Sequence, residues 1–402
     1  MKTWIHSDKE EERQEIIRDL VIHRRFLHQN PEVGSVLPIT AGYVAETLSS
    51  YGYEVTRHPG GGVSAAAGKK DGKVLLLRAD MDALPLLEET DLPFKSLNGN
   101  MHACGHDLHT SILLGTAKLL KRYENRLEGK VKLMFQPHEE GLVGSAVMIR
   151  EGILEDPPVD GALALHVEAG MDKAGIIRYR EGVTTAGSTI FEIHIQGKGS
   201  HGAQPQNGID PINIGVRIYE AFQELIAREL PPSHVNVLTI GTFLAGQTHN
   251  MIPEKAYLKG SIRTFFEDDR KFIMKRMEEI CQYTAKAFCG EARINLLNQA
   301  PSTRNDPVFT RKIIGVNQGL FGEQIQYRQE PLSVSEDFSR ISCLVPSLFV
   351  TLATGDQEDG YLYTQHNPHV VFDERAMIEG VAFLYNSAVS WLEAGKKERG
   401  DK

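Results

Sequence analysis

The sequence predicts an α/β protein with a mostly parallel central sheet flanked by helices and interrupted by a smaller inserted unit. Short, almost wholly apolar runs early in the chain are typical of strands buried on both faces of a sheet. Near residue 188 the pattern changes to alternating strands and amphipathic helices. Helix and strand signals of the first kind resume after about residue 300. We therefore expect segments 1–186 and 301–402 to form one domain, with 187–300 inserted into it.

The first segment predicts a helix followed by buried strands. Glu10 to Leu27 carries apolar residues at helical spacing, and Asn30-Pro31 ends this run. The apolar strand signals are Val74–Arg78, Val131–Phe135 and Gly161–Leu165. Ionisable residues follow them, namely Asp80 and Asp82, then His138, Glu139 and Glu140, then His166. Because open α/β sheets place their sites beyond the carboxyl ends of the strands, we expect these residues to lie together.

The inserted segment predicts a split βαβ, or ferredoxin-like, unit. Its signals run strand, helix, strand, strand, helix, strand. Asp210-Pro211 provides an N-cap and a first-turn proline for the first helix, and Gly290 stops the second. The final segment ends in a helix predicted from about Glu374 to Glu393.

Size and charge exclude several classes of partner. The 402 residues exceed what one hydrophobic core usually serves, which favours two domains. A net charge of -9, without any Lys/Arg run, disfavours nucleic acid. Residues 1–13 lack the apolar core of a secretion signal and no run approaches a membrane span, so we expect a cytoplasmic protein. The cysteines, Cys104, Cys281, Cys289 and Cys343, show no disulfide-framework spacing.

The segment His102–His109 concentrates a thiol, imidazoles and a carboxylate. Cys104 and His106, two positions apart, can reach one ion. A thiolate beside an imidazole favours zinc, cobalt or nickel over magnesium or calcium. The alternative is a buried thiol with surface histidines.

Glu139 and Glu140 form the second strong signal. Adjacent carboxylates usually mark a solvated surface, but these follow a buried strand and precede Gly141. Because neighbouring side chains of an extended strand point in opposite directions, one carboxylate can bind metal while the other faces the water. His166 and His366 are further candidate ligands. With them, Cys104, His106 and Glu140 provide enough groups for two ions sharing a bridging ligand and a water.

A series of motifs runs in order across nearly the whole chain. They are Leu27–Glu32, Leu77–Pro85, His102–His109, Phe135–Gly141, Gly197–His201, Asn250–Pro253, Gly260–Thr264 and Ser335–Phe338. In these motifs the sequence resembles the amidohydrolase branch of the zinc aminoacylase and carboxypeptidase family. That branch contains hippurate hydrolases, N-acyl-amino-acid amidohydrolases and indole-acetyl-amino-acid hydrolases.

The resemblance implies a binuclear hydrolase that cleaves N-acyl-L-amino acids to a carboxylate and a free amino acid. Cys104, His106, Glu140, His166 and His366 would hold two divalent ions, such as zinc, manganese, cobalt or nickel, with Glu139 as general base. The alternatives are a dedicated deacetylase of the N-acetyl-diaminopimelate type, a metallo-dipeptidase, and a non-catalytic binding relative.

In related enzymes the inserted unit acts as a lid, and the resemblance implies a homodimer or homotetramer formed through this unit, although no residue of the sequence demands it. His201, Asn250 and Arg263 match its substrate contacts, with Arg263 suited to a substrate carboxylate. The alternatives are a turn residue for His201 and a surface ion pair for Arg263.

Asp82 and Asp107 are expected to orient ligand histidines, although Asp107 could equally cap the following helix. Ser335–Asp337 has the spacing of an N-capped helix start, for which we expect a structural role. Departures from the family pattern at His138, Leu142 and Val143 reshape the site mouth, so the acyl and amino-acid preferences do not transfer.

Overall fold

The computed structural model describes residues 10–69 and 71–400, so residues 1–9 of the amino-terminal segment lie outside it. The chain forms two compact units. The first contains the chain up to Thr184, Arg304–Pro331 and the chain from Arg340 onward, and the second contains Thr185–Thr303 and Leu332–Ser339. The domain boundaries predicted at residues 187 and 300 stay a prediction. The two units are compact, but compactness does not show that either folds as a separate domain.

Both units contain helices and strands. In chain order the helices are α1 Glu10–Gln29, α2 Pro38–Ser50, α3 His106–Arg122, α4 Gly144–Arg150, α5 Pro211–Arg228, α6 Glu267–Ala287, α7 Pro307–Phe321, α8 Ser339–Ser342 and α9 Met377–Gly400. The strands are β1 Val55–Arg57, β2 Val63–Gly68, β3 Val74–Asp80, β4 Lys130–Gln136, β5 Gly161–Glu168, β6 Ile177–Tyr179, β7 Gly182–Val183, β8 Gly187–Gln196, β9 Ser200–His201, β10 Asn236–Ala245, β11 Met251–Ile252, β12 Lys255–Thr264, β13 Glu291–Ala300, β14 Arg304–Asn305, β15 Ile325–Tyr327 and β16 Ser347–Ala353.

An eight-stranded sheet in the order β1-β2-β4-β3-β5-β16-β6-β15 organises the first unit. Its centre is parallel, since β3 pairs in parallel with β4 and β5, and β5 with β16. The antiparallel pairs are β1 with β2, β2 with β4, and β16 with β6. Every residue of β3 and of β16 is buried, as expected for strands covered on both faces. The mostly parallel α/β fold class is confirmed.

A large apolar core surrounds this sheet. It contains Leu75 and Leu77 of β3, Leu113 and Leu120 of α3, and Phe383 of α9. Close packing of these side chains fixes the ends of the central strands relative to the start of α3. The carboxyl ends of β3, β4 and β5 therefore form a rigid frame for the side chains that follow them.

The second unit is built on a four-stranded antiparallel sheet in the order β10-β12-β8-β13. Together with α5 and α6, this is the split βαβ order that the sequence predicts. The Asp210 carboxylate accepts the backbone N–H groups of Ile212 and Asn213, so the predicted N-cap of α5 is present. A separate apolar core, including Phe191, Ile218 and Phe222, joins helices and sheet.

All four cysteines are free thiols, with Cys281 buried in α6 and Cys289 exposed just beyond it. Among the helices of residues 10–69 and 71–400, none combines the length and apolar character that a membrane span requires.

Candidate metal centre

The turn from Cys104 to His106 is formed around a glycine in the left-handed region. Gly105 has a φ of 92° and is the N-cap of α3, which begins at His106. A Cβ at Gly105 would lie 2.4 Å from Cγ2 of Val167, so no larger residue fits between the sheet and this turn. The turn therefore carries the Cys104 thiol and the His106 imidazole on the residues immediately before and after this glycine.

Around the buried Cys104 thiol lie side chains from three other parts of the chain. Its Sγ is 3.5 Å from Nε2 of His166 on β5 and 3.3 Å from Nε2 of His366. The same nitrogen of His366 is 3.4 Å from Oε1 of Glu140. The backbone N–H of His366, a residue with a φ of 64°, donates to the Ala103 carbonyl and so ties this segment to the turn.

These predicted ligands fall into groups of metal-binding size. Within each group, one ligand atom per residue lies within 4.8 Å of the others. One group is Cys104, His106 and His166, and a second is Cys104, Glu140 and His366. Because both groups contain Cys104, its thiol is the donor that they share.

Glu139 and Glu140 occupy a turn and not an extended strand. β4 ends at Gln136, and residues on either side of the pair, His138 and Leu142, have φ values of 53° and 55°. Both carboxylates approach Nε2 of His106, at 4.0 Å from Glu139 and 3.9 Å from Glu140. The expectation that they point in opposite directions is wrong, because β4 ends before the pair and the alternation of side chains along a strand does not apply to a turn.

Asp82 shapes this turn and orients His106. Its carboxylate accepts the backbone N–H of Glu139 at 2.9 Å and that of Glu140 at 3.2 Å. Its backbone carbonyl lies 2.7 Å from Nδ1 of His106, which places the proton on Nδ1 in the neutral ring and leaves Nε2 facing the carboxylates. Asp82 thus lies where the sequence predicts it, next to a candidate ligand histidine.

The polar atoms of this cluster fit a divalent cation. Within the part of the chain that the structure describes, Nε2 of His106 and Oε1 of Glu140 are buried without a hydrogen-bond partner, which is costly unless another group satisfies them. Burial, together with the charge of Glu140, raises the pKa of the Cys104 thiol well above its usual range. A cation would remove both penalties, and a donor set of thiolate, imidazole and carboxylate suits zinc-like ions.

A further group of Asp80, His106 and His109 is also close enough to hold an ion. His109, however, has both ring nitrogens occupied: Nδ1 lies 2.6 Å from Oδ1 of Asp80, and Nε2 accepts the Val167 N–H at 2.8 Å. Burial lowers the pKa of His109 to about 3, so the ring is neutral. This group is therefore a hydrogen-bonded network and not a ligand set.

The sequence predicts Asp80 at the strand ends without assigning it a role, and its partner Arg78 is not among the residues that the sequence singles out. Arg78 Nη1 lies 2.8 Å from Asp80 Oδ2, and both side chains are almost fully buried. An arginine within the apolar run Val74–Asp80 is the signal that could have revealed the pair, because buried charges need partners.

Asp107 lies in the first turn of α3, and its carboxylate does not cap the helix. Its Oδ2 is 2.8 Å from Nδ1 of His28 and 3.3 Å from Nε of Arg24. The capping alternative is wrong, because the helix begins one residue before Asp107. Its hydrogen bonds also run to α1 and not to a predicted ligand.

The second unit contains the predicted substrate contacts. β9 pairs with β11 so that His201 faces Met251, and the Gly202 N–H donates to the Asn250 carbonyl at 2.8 Å. Nδ1 of His201 accepts the Ala203 N–H at 3.1 Å, which leaves Nε2–H as the remaining donor of the neutral ring. The structure thus brings His201 and Asn250 together.

Arg263, on β12, hydrogen-bonds to the Ser335 hydroxyl. Among the residues described, no carboxylate lies within ion-pair distance of its guanidinium, and burial alone lowers its pKa. The alternative of a surface ion pair is therefore wrong. Ser335 does not cap a helix, since α8 begins at Ser339 and the Phe338 N–H is accepted by Glu336.

An α/β sheet with metal-binding side chains beyond its strand ends is typical of metal-dependent hydrolases. The chain belongs to peptidase family M20/M25/M40, whose model matches residues 76–389. It is 32% identical to N-acetyl-L-cysteine deacetylase of Bacillus subtilis, over 95% of this chain and 90% of that protein. It is 35% identical to hippurate hydrolase of Campylobacter jejuni, over 92% and 96% of the two chains. The YXEP protein of Bacillus subtilis, described as a dinuclear metal binding peptidase, superposes with a TM-score of 0.80 at 30% identity, over 94% and 99% of the chains.

Proposed function

We propose that this protein is a metal-dependent amidohydrolase that cleaves the amide bond of N-acyl-L-amino acids. The observation that carries the proposal is the convergence of a thiol, three imidazoles and a carboxylate, with Glu139 beside them. Two buried polar atoms of this cluster have no hydrogen-bond partner within the described chain. Similarity to a deacetylase and to hippurate hydrolase over nearly the whole chain supports the substrate class.

Two divalent ions would be held by Cys104, His106, Glu140, His166 and His366, with Cys104 common to both. Zinc, manganese, cobalt and nickel all suit these donors. When bound, such ions lower the pKa of water and stabilise negative charge on a carbonyl oxygen.

Glu139 is the general base in this proposal. The residue is 5% exposed, and the bond from its N–H to Asp82 fixes the turn that carries it. Its carboxylate takes a proton from the water as the water oxygen attacks the amide carbon. The protonated carboxyl then gives that proton to the amine nitrogen as the C–N bond breaks.

The second unit would supply substrate contacts. Arg263, without a carboxylate partner among the described residues, would take the substrate carboxylate, and His201 would donate Nε2–H to the carbonyl oxygen. Asn250, fixed beside His201, would be a further polar contact.

The same unit would also support self-association. Among the described strands, β10 pairs with β12 along one side and forms an edge of the sheet. It carries Val237 and Leu244, which are 47% and 62% exposed. An open, partly apolar strand of this length is suited to pairing with a second copy.

Substitution of each glutamate tests the proposed roles. Glu139→Gln removes the base but no ligand, so we expect metal content to stay at the wild-type value and turnover of N-acetyl and N-benzoyl amino acids to fall by roughly 10²- to 10⁴-fold. Glu140→Gln weakens a ligand, so metal content should fall together with turnover. Metal analysis and steady-state kinetics on both variants separate the two roles. Survival of wild-type turnover in the Glu139 variant would show that the base is misassigned, and turnover of dipeptides alone would reject the substrate class.

A further inference from the structure

A buried line of polar side chains crosses the strand ends beneath the predicted ligands. Arg78 Nε donates to Gln136 Oε1 at 2.9 Å, and Arg78 Nη1 lies 2.8 Å from Asp80 Oδ2. Asp80 Oδ1 lies 2.6 Å from His109 Nδ1, and His109 Nε2 accepts the Val167 N–H at 2.8 Å. We call Gln136, Arg78, Asp80 and His109 the polar relay. Each of its residues is at most 3% exposed.

The hydrogen bonds determine the state of His109. A nitrogen that accepts a backbone N–H carries no proton, so Nε2 is unprotonated and Nδ1 carries the single ring proton, which it donates to Asp80. Both nitrogens are thus committed, and the ring has no free lone pair for an ion.

The relay connects four elements of the first unit, β3, β4, α3 and β5. Gln136 is the last residue of β4, before the turn with Glu139. His109 lies on α3, three positions after His106. Val167, which it holds, follows His166 on β5.

His109 also packs beside two candidate ligand rings, whose centroids lie 6.0 Å from each other. Its ring centroid is 4.4 Å from that of His166 and 5.3 Å from that of His106. A change in its position would therefore move both imidazoles.

The charge in the relay argues for a geometric role. Burying an arginine–aspartate pair costs more in lost hydration than the pair usually regains, so such pairs are weak evidence for stability. Here Asp80 receives a hydrogen bond from His109 in addition to its contact with the arginine, and its Oδ2 lies 3.8 Å from Nε2 of the candidate ligand His106. This position favours a role in fixing directions over one in holding the fold together.

We infer that His109 is a positioning residue of the metal centre: anchored by Asp80, it holds His166 through the Val167 backbone and sets the spacing of His166 from His106. The inference rests on the proposed function, because it assumes that His106 and His166 bind ions.

Substitutions at His109 test this inference through metal binding and not only through turnover. His109→Leu removes both hydrogen bonds, whereas His109→Gln keeps a donor and an acceptor. The matched control is His23→Leu, because His23 is also buried and also has both ring nitrogens bonded, at 2.7 Å to Tyr43 and 2.9 Å to Tyr51. Each metal-free protein is titrated with Co²⁺, following visible absorption, with melting of the metal-free protein recorded in parallel.

We expect His109→Leu to bind Co²⁺ about 10- to 100-fold more weakly, with an altered cobalt spectrum, as is common when a partner of a ligand is lost. His109→Gln should recover part of the affinity. His23→Leu should retain the wild-type affinity and spectrum even where its metal-free melting temperature falls as far as that of His109→Leu.

Two results would overturn the inference while leaving the proposed function intact. One is a His109→Leu protein with wild-type affinity and spectrum. The other is loss of one whole equivalent of Co²⁺ with the remaining site unchanged, which would make His109 a ligand. A wild-type protein that binds no Co²⁺ would instead reject both this inference and the proposed function.

Discussion

At the scale of single residues, Arg263 is the side chain that we propose for recognition of the substrate carboxylate. Its guanidinium is partly buried, burial lowers its pKa, and its side-chain partner is a neutral hydroxyl. A cation that has lost part of its hydration without gaining an anion is a favourable site for a carboxylate. If Arg263 binds the substrate carboxylate as we propose, it would select N-acyl amino acids over simple amides.

We predict that Arg263→Met lowers kcat/KM for an N-acyl amino acid by roughly 10- to 100-fold, the range expected for hydrogen bonds to a charged group. The same variant should leave kcat/KM nearly unchanged for the analogue whose carboxylate is replaced by a carboxamide. Steady-state kinetics on the two substrates measures the difference. Equal losses on both would remove Arg263 from carboxylate recognition.

His28 illustrates how a single buried residue couples stability to pH. Its ring lies between two carboxylates, at 2.8 Å from Asp107 and 3.1 Å from Glu88. Burial and the charge of Arg24 oppose its protonation, but the hydrogen bonds and charges of the carboxylates outweigh them and raise the pKa of His28 above 6.5. His102, whose ring centroid is 6.5 Å away, is held neutral because burial lowers its pKa to about 4.

Because the folded-state pKa of His28 is raised, its stabilising effect is complete below pH 6.5 and disappears as pH rises through the folded-state pKa. His28→Gln removes the cation beside buried Glu88 and leaves Asp107 with Arg24 alone, so we expect the free energy of unfolding to fall by about 3–5 kcal/mol at low pH. The difference in the free energy of unfolding between wild type and variant should become smaller as pH increases. Denaturant unfolding of the metal-free proteins from about pH 6 to about pH 9 measures it.

The control for this experiment is His23→Gln. Burial lowers the pKa of His23 to about 4, so it is neutral throughout that pH range. The change in the free energy of unfolding caused by His23→Gln should therefore not vary with pH over the same range. If the difference in the free energy of unfolding between wild type and His28→Gln is constant or increases with pH, His28 is not the charged partner of Asp107 and Glu88.

At the scale of elements, the start of α3 determines how the candidate ligands are presented. Gly105 combines a positive φ with a Cβ position 2.4 Å from Val167. The first turn of the helix carries His106 and His109, so any displacement there moves both the ligand and its neighbour.

We predict that Gly105→Ala destabilises the first unit by more than the ~1–2 kcal/mol of left-handed strain alone, and that it weakens metal binding. Gly99→Ala is the matched control, since Gly99 has a φ of 85° but no atom of the described residues within 4 Å of its Cβ position. Gly99→Ala should lose only the stability that left-handed backbone strain costs, and it should keep wild-type metal affinity. Thermal unfolding and metal titration of both variants test this, and equal effects would assign the loss to strain and not to the contact with Val167.

The same elements show what a sequence can and cannot predict. The apolar runs at Val74, Val131 and Gly161 predicted β3, β4 and β5, because burial on both faces leaves a strong local signal. The prediction that the side chains of Glu139 and Glu140 point in opposite directions was wrong, because it assumed that β4 extends to this pair, and β4 ends at Gln136. The pairing of Arg78 with Asp80 and His109 depends on elements that are distant in sequence. Local patterns therefore located the candidate site, while its internal hydrogen bonds required the tertiary structure.

At the scale of the whole molecule, every predicted metal ligand belongs to the first compact unit. Binding that favours a folded state stabilises it in proportion to the logarithm of ligand concentration. A divalent ion should therefore stabilise the first unit specifically. Trp391 is 6% exposed and packs in that unit against Phe309, at 5.7 Å between ring centroids. The only other tryptophan is Trp4, outside the described residues, so the second unit contains none and Trp391 reports on the first.

We predict that a divalent ion at about a hundred times its dissociation constant adds about 2.7 kcal/mol to the stability of the first unit. The midpoint of denaturant unfolding followed by tryptophan fluorescence should then rise relative to chelator-treated protein. The control is Cys104→Ala, which removes the donor shared by both ligand groups and should make the midpoint nearly independent of the ion. An ion-induced shift of equal size in this variant would place the stabilising ion elsewhere, because a centre that depends on the shared thiol cannot bind normally without it.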